Sequence, residues 1–223
     1  AVNGAGMYLE GSNTLVSGSK FEGNNATNNG AGMFISGNNT NVTSGSDFFE
    51  NYAVNGGGLY IDGGNTTVSG SRFEKNNATN GAGGYIDGSD TKILDSTFVV
   101  NNATDGAGIY VVGKDTVIYN STFTDNDAVN GAGGYIDGEN TNILNSTFKI
   151  NNATNGAGVY VGGNQTKISN TTFYNNTATN GAGGFVDGKD TNILNSTFEI
   201  NNATSGAGIY VKGVDTKIDN STF

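Results

Sequence analysis

The stretch Gly106–Asn130, GAGIYVVGKDTVIYNSTFTDNDAVN, decides the fold. Two runs rich in β-branched and aromatic residues, GAGIYVVG and DTVIYNSTF, are bounded by Gly, Asn and Asp, the residues that turn a chain. The first reads as one strand and the second as one or two more. FTDNDAVN brings the chain back to the next GAG. No run keeps an apolar period of 3.6 over the ten or so residues a helix needs.

The same pattern recurs along the whole chain. Phenylalanine stands at Phe21, Phe48, Phe73, Phe98, Phe123, Phe148, Phe173, Phe198 and Phe223, mostly 25 residues apart. Each of the first eight is followed three residues later by asparagine (Asn101, Asn126 and Asn151 among them) and five later by alanine. A fixed period means one supersecondary unit stacked on copies of itself. Three short sides in about 25 residues suit one turn of an all-β parallel β-helix, here about nine coils spaced about 4.8 Å apart, or roughly 43 Å of rod. The prediction is a single domain over 1–223, a segment of a longer chain or of a repeating filament, with both ends uncapped. Two coils carry an extra residue, one between Thr40 and Phe48 and one in the Asn28–Asn29 turn; corners absorb insertions at least cost.

Alternation assigns the columns to faces. Ala107, Ile109 and Val111 point inward, and Gly108 and Tyr110 outward. Ile93, Ile118 and Ile143 belong to an inward aliphatic column. The phenylalanines Phe98, Phe123 and Phe148 form an inward structural ladder with Asn101, Asn126 and Asn151. A buried amide must be hydrogen-bonded, and stacked asparagines achieve this by bonding from coil to coil or by capping the turns.

Composition excludes several functions. The net charge is −10 with Arg72 the only arginine, so a phosphate backbone is repelled and no nucleic-acid partner is expected. There is no Cys and no His, hence no disulfide framework, and no metal or other cofactor is expected. No secretory signal or apolar span is present, so membrane contact would come only through regions outside this segment. Carboxylates recur at one phase, Asp62, Asp87, Asp137 and Asp187, interrupted by Val112, Gly162 and Lys212. Catalysis needs convergent groups rather than a repeated one, and no catalytic residues are expected.

The pairing of GAGGYIDG at 81–88 with FVVN at 98–101 resembles the repeats of polymorphic membrane protein autotransporters and of adhesin-like surface proteins of methanogenic archaea. Those repeats more often read Gly-Gly-Ala-aliphatic. The resemblance implies a right-handed parallel β-helix at the cell surface, in adhesion or as a stalk. It carries over no catalytic residue, because the motif is architectural.

Four outer features are candidates for contact. Tyr85, Tyr110, Tyr135, Tyr160, Phe185 and Tyr210 continue a row of nine outward rings that either stack to stiffen the coil or bind glycan or another rod. Leu94, Leu144 and Leu194, with Val100, Ile150 and Ile200, recur every 50 residues. They read as an apolar stripe for docking a neighbouring rod, or as volume compensation for Gly84, Gly134 and Gly184. Asn-x-Ser/Thr sequons place possible glycans at Asn77, Asn102, Asn152 and Asn202, with Asn120, Asn145, Asn195 and Asn220 a second set. Thr91, Thr116 and Thr141 belong to a threonine row that would suit ice binding if flat and exposed, but beside a turn it suits local backbone bonding better. The expectation is a non-enzymatic extracellular filament, sheath or adhesin stalk that self-associates end to end or side by side. The alternative is an adhesin domain that binds surface glycans through the aromatic row.

Overall fold

A computed structural model describes residues 1–223 as strands of three or four residues, with no helix. Three parallel sheets run the length of the chain. The first has nine strands, from Met7–Leu9 to Ile209–Val211; the second has nine, from Leu15–Ser17 to Lys217–Asp219; the third has eight, from Lys20–Glu22 to Thr197–Glu199. Like pairs with like across neighbouring coils: Tyr85 with Tyr110, Ile93 with Ile118, Phe98 with Phe123. This is the stacked β-solenoid of about nine turns that the period implies.

DTVIYNSTF resolves into two strands, Val117–Tyr119 and Thr122–Thr124. The chain cannot stay extended for longer because it must turn at four places per coil. In the coil of Gly106–Asn130 the left-handed residues are Gly106 (φ 62°), Asp115 (57°), Asn120 (48°) and Asp125 (54°). Glycine, Asn and Asp tolerate that region, whereas other side chains clash with the backbone there. Turn N–H groups also bond between coils, Asp125 N–H to Lys149 O and Gly131 N–H to Asn155 O, so the corners are zipped along the axis as the strands are.

The coil has a fourth side that the three-sided reading lacked. Parallel bridges join Asn77 to Asn102 and Asn80 to Asp105. In the last coils this ladder becomes regular strands, Asn152–Asn155, Thr177–Asn180 and Asn202–Ser205. Weak strand formers such as Asn and Ala had disguised it.

The interior is divided. Phenylalanine, the aliphatic column and the inward residues of the first sheet form one cluster of 27 buried residues. Alanines line a second, narrower space under the fourth side, among them Ala103, Ala107, Ala128 and Ala132. Only a methyl side chain fits where those walls approach each other.

Gly108 is a correction to the alternation. A Cβ there would run into the carbonyl oxygen of Gly133 and the ring of Phe123, so this glycine faces the next coil rather than solvent. The first strand begins only at Ile109, and the bend before it breaks the two-residue alternation.

Both extra residues lie at corners. Ser44 and Gly45 are consecutive left-handed residues (φ 56° and 74°), and Phe21 still pairs with Phe48 beyond them. The Asn28–Asn29 turn takes up the second insertion, and Met33 pairs with Leu59 after it.

Candidate functional site

The asparagine column is saturated with hydrogen bonds. Asn126 Oδ1 accepts from the backbone N–H and the side-chain Nδ2 of Asn101, both at 3.0 Å. Asn126 Nδ2 donates to Phe98 O at 3.1 Å and to Asn151 Oδ1 at 3.0 Å. Both amide protons and both oxygen lone pairs are thereby used, which is how a buried primary amide avoids its desolvation cost. Beside it the rings of Phe98, Phe123 and Phe148 stack with centroids 4.7 and 4.6 Å apart.

A second asparagine ladder went unread in the sequence. Asn130 Nδ2 donates to Asp105, Asn155 to Asn130, and Asn180 to Asn155, at 2.7, 2.9 and 2.9 Å. These amides donate toward the preceding coil, whereas the inner ladder donates toward the following one. The two rows of amide dipoles therefore oppose each other along the rod. The signal was the recurring Asn-Gly pair, at Asn130-Gly131, Asn155-Gly156 and Asn180-Gly181.

The outer aromatic row is less open than alternation implied. Adjacent rings from Tyr8 to Tyr210 stack at 4.6–5.1 Å. Phe34, Tyr60 and Phe185 are buried, and Tyr85, Tyr110, Tyr135 and Tyr160 are half-buried. Each ring covers its neighbour's faces, leaving edges to solvent; Tyr210, near the end of the row, is more exposed. Some edges are tied down: Tyr60 Oη donates to Asp87 at 3.2 Å and Tyr160 Oη to Asp187 at 3.4 Å.

Burial, reinforced by nearby carboxylates, holds the tyrosine hydroxyls protonated. The Tyr110 hydroxyl is pushed up to about 12, first by burial and then by Asp137. Tyr60, Tyr85, Tyr135 and Tyr160 are raised as well, burial again the largest cause. A phenol whose pKa is higher folded than unfolded keeps its proton longer in the folded state. Its contribution is intact below the unfolded value, about 10, and is lost as pH climbs through the folded value. The melting temperature is therefore expected to fall steeply between about pH 10 and 12, with tyrosinate absorbance from this row appearing together with unfolding. A melting temperature unchanged up to about pH 12 would contradict the linkage.

The stripe residues lie outside the core. Leu94, Leu144 and Leu194 alternate with buried Ile93, Ile143 and Ile193 and are half-buried on the outer face of the second sheet. Around the next corner, Val100, Ile150 and Ile200 are 45%, 44% and 67% exposed. Their φ angles are 55°, 58° and 57°. β-Branched side chains in that region cost about 1–2 kcal/mol each, and here burial is only partial. The coils between carry Asp125 and Asn175 at the same corner, residue types that tolerate it.

On that outer face the leucines cannot compensate in the core for the small volume of Gly84, Gly134 and Gly184. A Cβ on Gly84 would meet Ile86 Cδ1 at 3.9 Å and Ile109 Cγ1 at 4.0 Å, so room for a methyl remains beside the glycine.

The sequon asparagines Asn77, Asn102, Asn152 and Asn202 are exposed on the fourth side. Asn152 Nδ2 donates to Asp127 at 3.0 Å. In the second set Asn120 Nδ2 donates to Asp95 at 2.6 Å and Asn220 to Asn195 at 2.7 Å. A glycan on any of these three nitrogens would compete with the ladder contact.

The threonine row is buried. Thr91, Thr116 and Thr141 donate Oγ1 to the carbonyls of Gly88, Gly113 and Gly138 at 2.9–3.2 Å, so it caps turns and offers no ice-matching surface.

Asp62, Asp87 and Asp137 are exposed in their column, and Asp187 pairs with Lys212 at 3.1 Å. Acidic residues do not gather into a cluster able to hold a metal ion, and the surface has no pocket. What the molecule presents is repetition, the same residue types at the same place in successive coils.

This architecture defines a parallel β-solenoid repeat protein. The profile of the right-handed β-helix region matches residues 1–148 and again 57–223, and the chain belongs to that family. No curated protein matches it.

Proposed function

We propose that this chain is a non-enzymatic structural rod at the outside of the cell, a component of a filament, sheath or adhesin stalk. The observation that carries this reading is the unbroken register of equivalent residues through two sheets of nine stacked strands and a third of eight. Such a molecule spends its sequence on axial cohesion: two amide ladders, two files of rings and corner N–H groups that bond between coils. The repeat resemblance to polymorphic membrane proteins and methanogen adhesin-like proteins supports the surface location. In the alternative reading the aromatic row binds sugars, which stack on ring faces. Here the faces are occupied by neighbouring rings, which favours the structural role.

Immunogold electron microscopy of the native cell tests the proposal. Label is expected on the cell exterior, following extended structures. Label confined to the cytoplasm would overturn it.

A further inference from the structure

We infer that two copies of this chain pair side by side and antiparallel, about a two-fold axis that passes through the coil of Tyr174. The inference deepens the structural reading and rests on it, since it names the partner of the rod's outer face.

It starts from the strained corner. Ile150 and Ile200 stand exposed in the left-handed region, two coils apart. Every coil turns at this corner in the left-handed region, which Asp125 and Asn175 tolerate; a β-branched residue kept there outside the core points to a contact made by its side chain elsewhere. Two coils span about 9.6 Å. A second copy carries apolar knobs at the same separation.

Charge then selects the register. Lys149 and Glu199 flank the two isoleucines, and neither takes part in any ion pair within the chain. A two-fold axis across the rod sets each column against itself with its direction reversed. With the axis at the coil of Tyr174, Ile150 meets Ile200 of the second copy, and Lys149 meets Glu199, each pair occurring twice. Exposed Tyr174 faces its own counterpart on the axis.

Other registers fail. An axis at the coil of Ile150 opposes Lys149 to itself, and one at Ile200 opposes Glu199 to itself. An axis at Asp125 opposes both Asp125 and Asp127 to themselves. An axis at Val100 sets Ile150 against Glu50, and axes between coils set an isoleucine against Lys75, Asp125 or Asn175. Parallel rods related by an axis along their length and centred on this column put Lys149 against Lys149. Like charges are repelled in each of the first three and in the last.

The pairs named here are few and partly exposed, so covalent trapping is the suitable readout. In the whole chain, Tyr174→Cys is expected to form a disulfide-linked dimer under mild oxidation. Lys167→Cys, in the same coil on the second sheet, is expected to stay monomeric. On the Tyr174→Cys background, Lys149→Glu alone or Glu199→Lys alone should lower the linked fraction about fivefold or more, and the two together should restore it. Circular dichroism confirms that each variant keeps its strands. Equal linking at both cysteines, or a double reversal that stays as low as the single ones, would overturn the pairing. Unpaired rods on the cell surface would sink this inference and leave the structural role standing. Paired rods confined to the cytoplasm would do the opposite.

Discussion

Replacing Asn126 with alanine is expected to destabilise the rod by about 4 kcal/mol. The substitution removes an oxygen that accepts from Asn101 N–H and Asn101 Nδ2, and an amide that donates to Phe98 O and Asn151 Oδ1. The groups left behind are buried: Asn101 and Asn151 are each 1% exposed. An orphaned buried polar group costs about 1–3 kcal/mol, and two are created, the Asn101 N–H and one Asn101 amide proton, while the Phe98 carbonyl loses one of its donors. Because a solenoid is held together by nearest-neighbour interfaces, the damage should be local. Hydrogen exchange at the Asn101 amide is expected to accelerate far more than exchange at Phe21. Asn152→Ala, which removes one exposed contact to Asp127, should change stability by under about 0.5 kcal/mol. A loss below about 1 kcal/mol for Asn126→Ala would mean the amide column does not hold the coils together.

Gly83 and Gly84 are neighbours with opposite expected outcomes. Alanine at Gly83 would drive its Cβ into the carbonyl oxygen of Gly108 and to 2.7 Å from Phe98 Cδ1. One obstacle is backbone of the next coil and the other a ring in a filled stack, so relief requires the coils to part. About 3 kcal/mol of destabilisation is expected, the upper part of the range for overpacking. Alanine at Gly84 would meet nothing closer than 3.9 Å. Its φ is ordinary, so the lost chain entropy of glycine is recovered and stability should hold or rise by up to about 1 kcal/mol. Urea unfolding of the two variants separates them directly. Equal losses at both positions would show that the tight approach of successive coils at Gly83 is not as described.

The period of 25 and the files of Phe and Asn were legible in the sequence because stacking demands the same residue at the same phase. The inner ladder could be anticipated down to its bonding, since a buried Asn with Asn above and below has few other partners. The fourth side was not legible. Its residues, Asn152 to Asn155 for example, are poor strand formers that pair only because the other three sides bring them into register. The exposure of the aromatic row was also misjudged. Alternation gives the direction of a side chain, but a ring whose two faces are covered by its own repeats is shielded while pointing outward. The left-handed φ of Val100, Ile150 and Ile200 ran against propensity; the column's Asp125 and Asn175 carried the only hint.

The account stands on like residues of successive coils lying directly over one another. A crystal structure of this chain tests that most directly. Eight consecutive centroid separations of 4.6–5.1 Å along the phenylalanine file from Phe21 to Phe223 are expected. Phenylalanines dispersed among different sheets, or coils offset so that rings meet asparagines instead of rings, would contradict it.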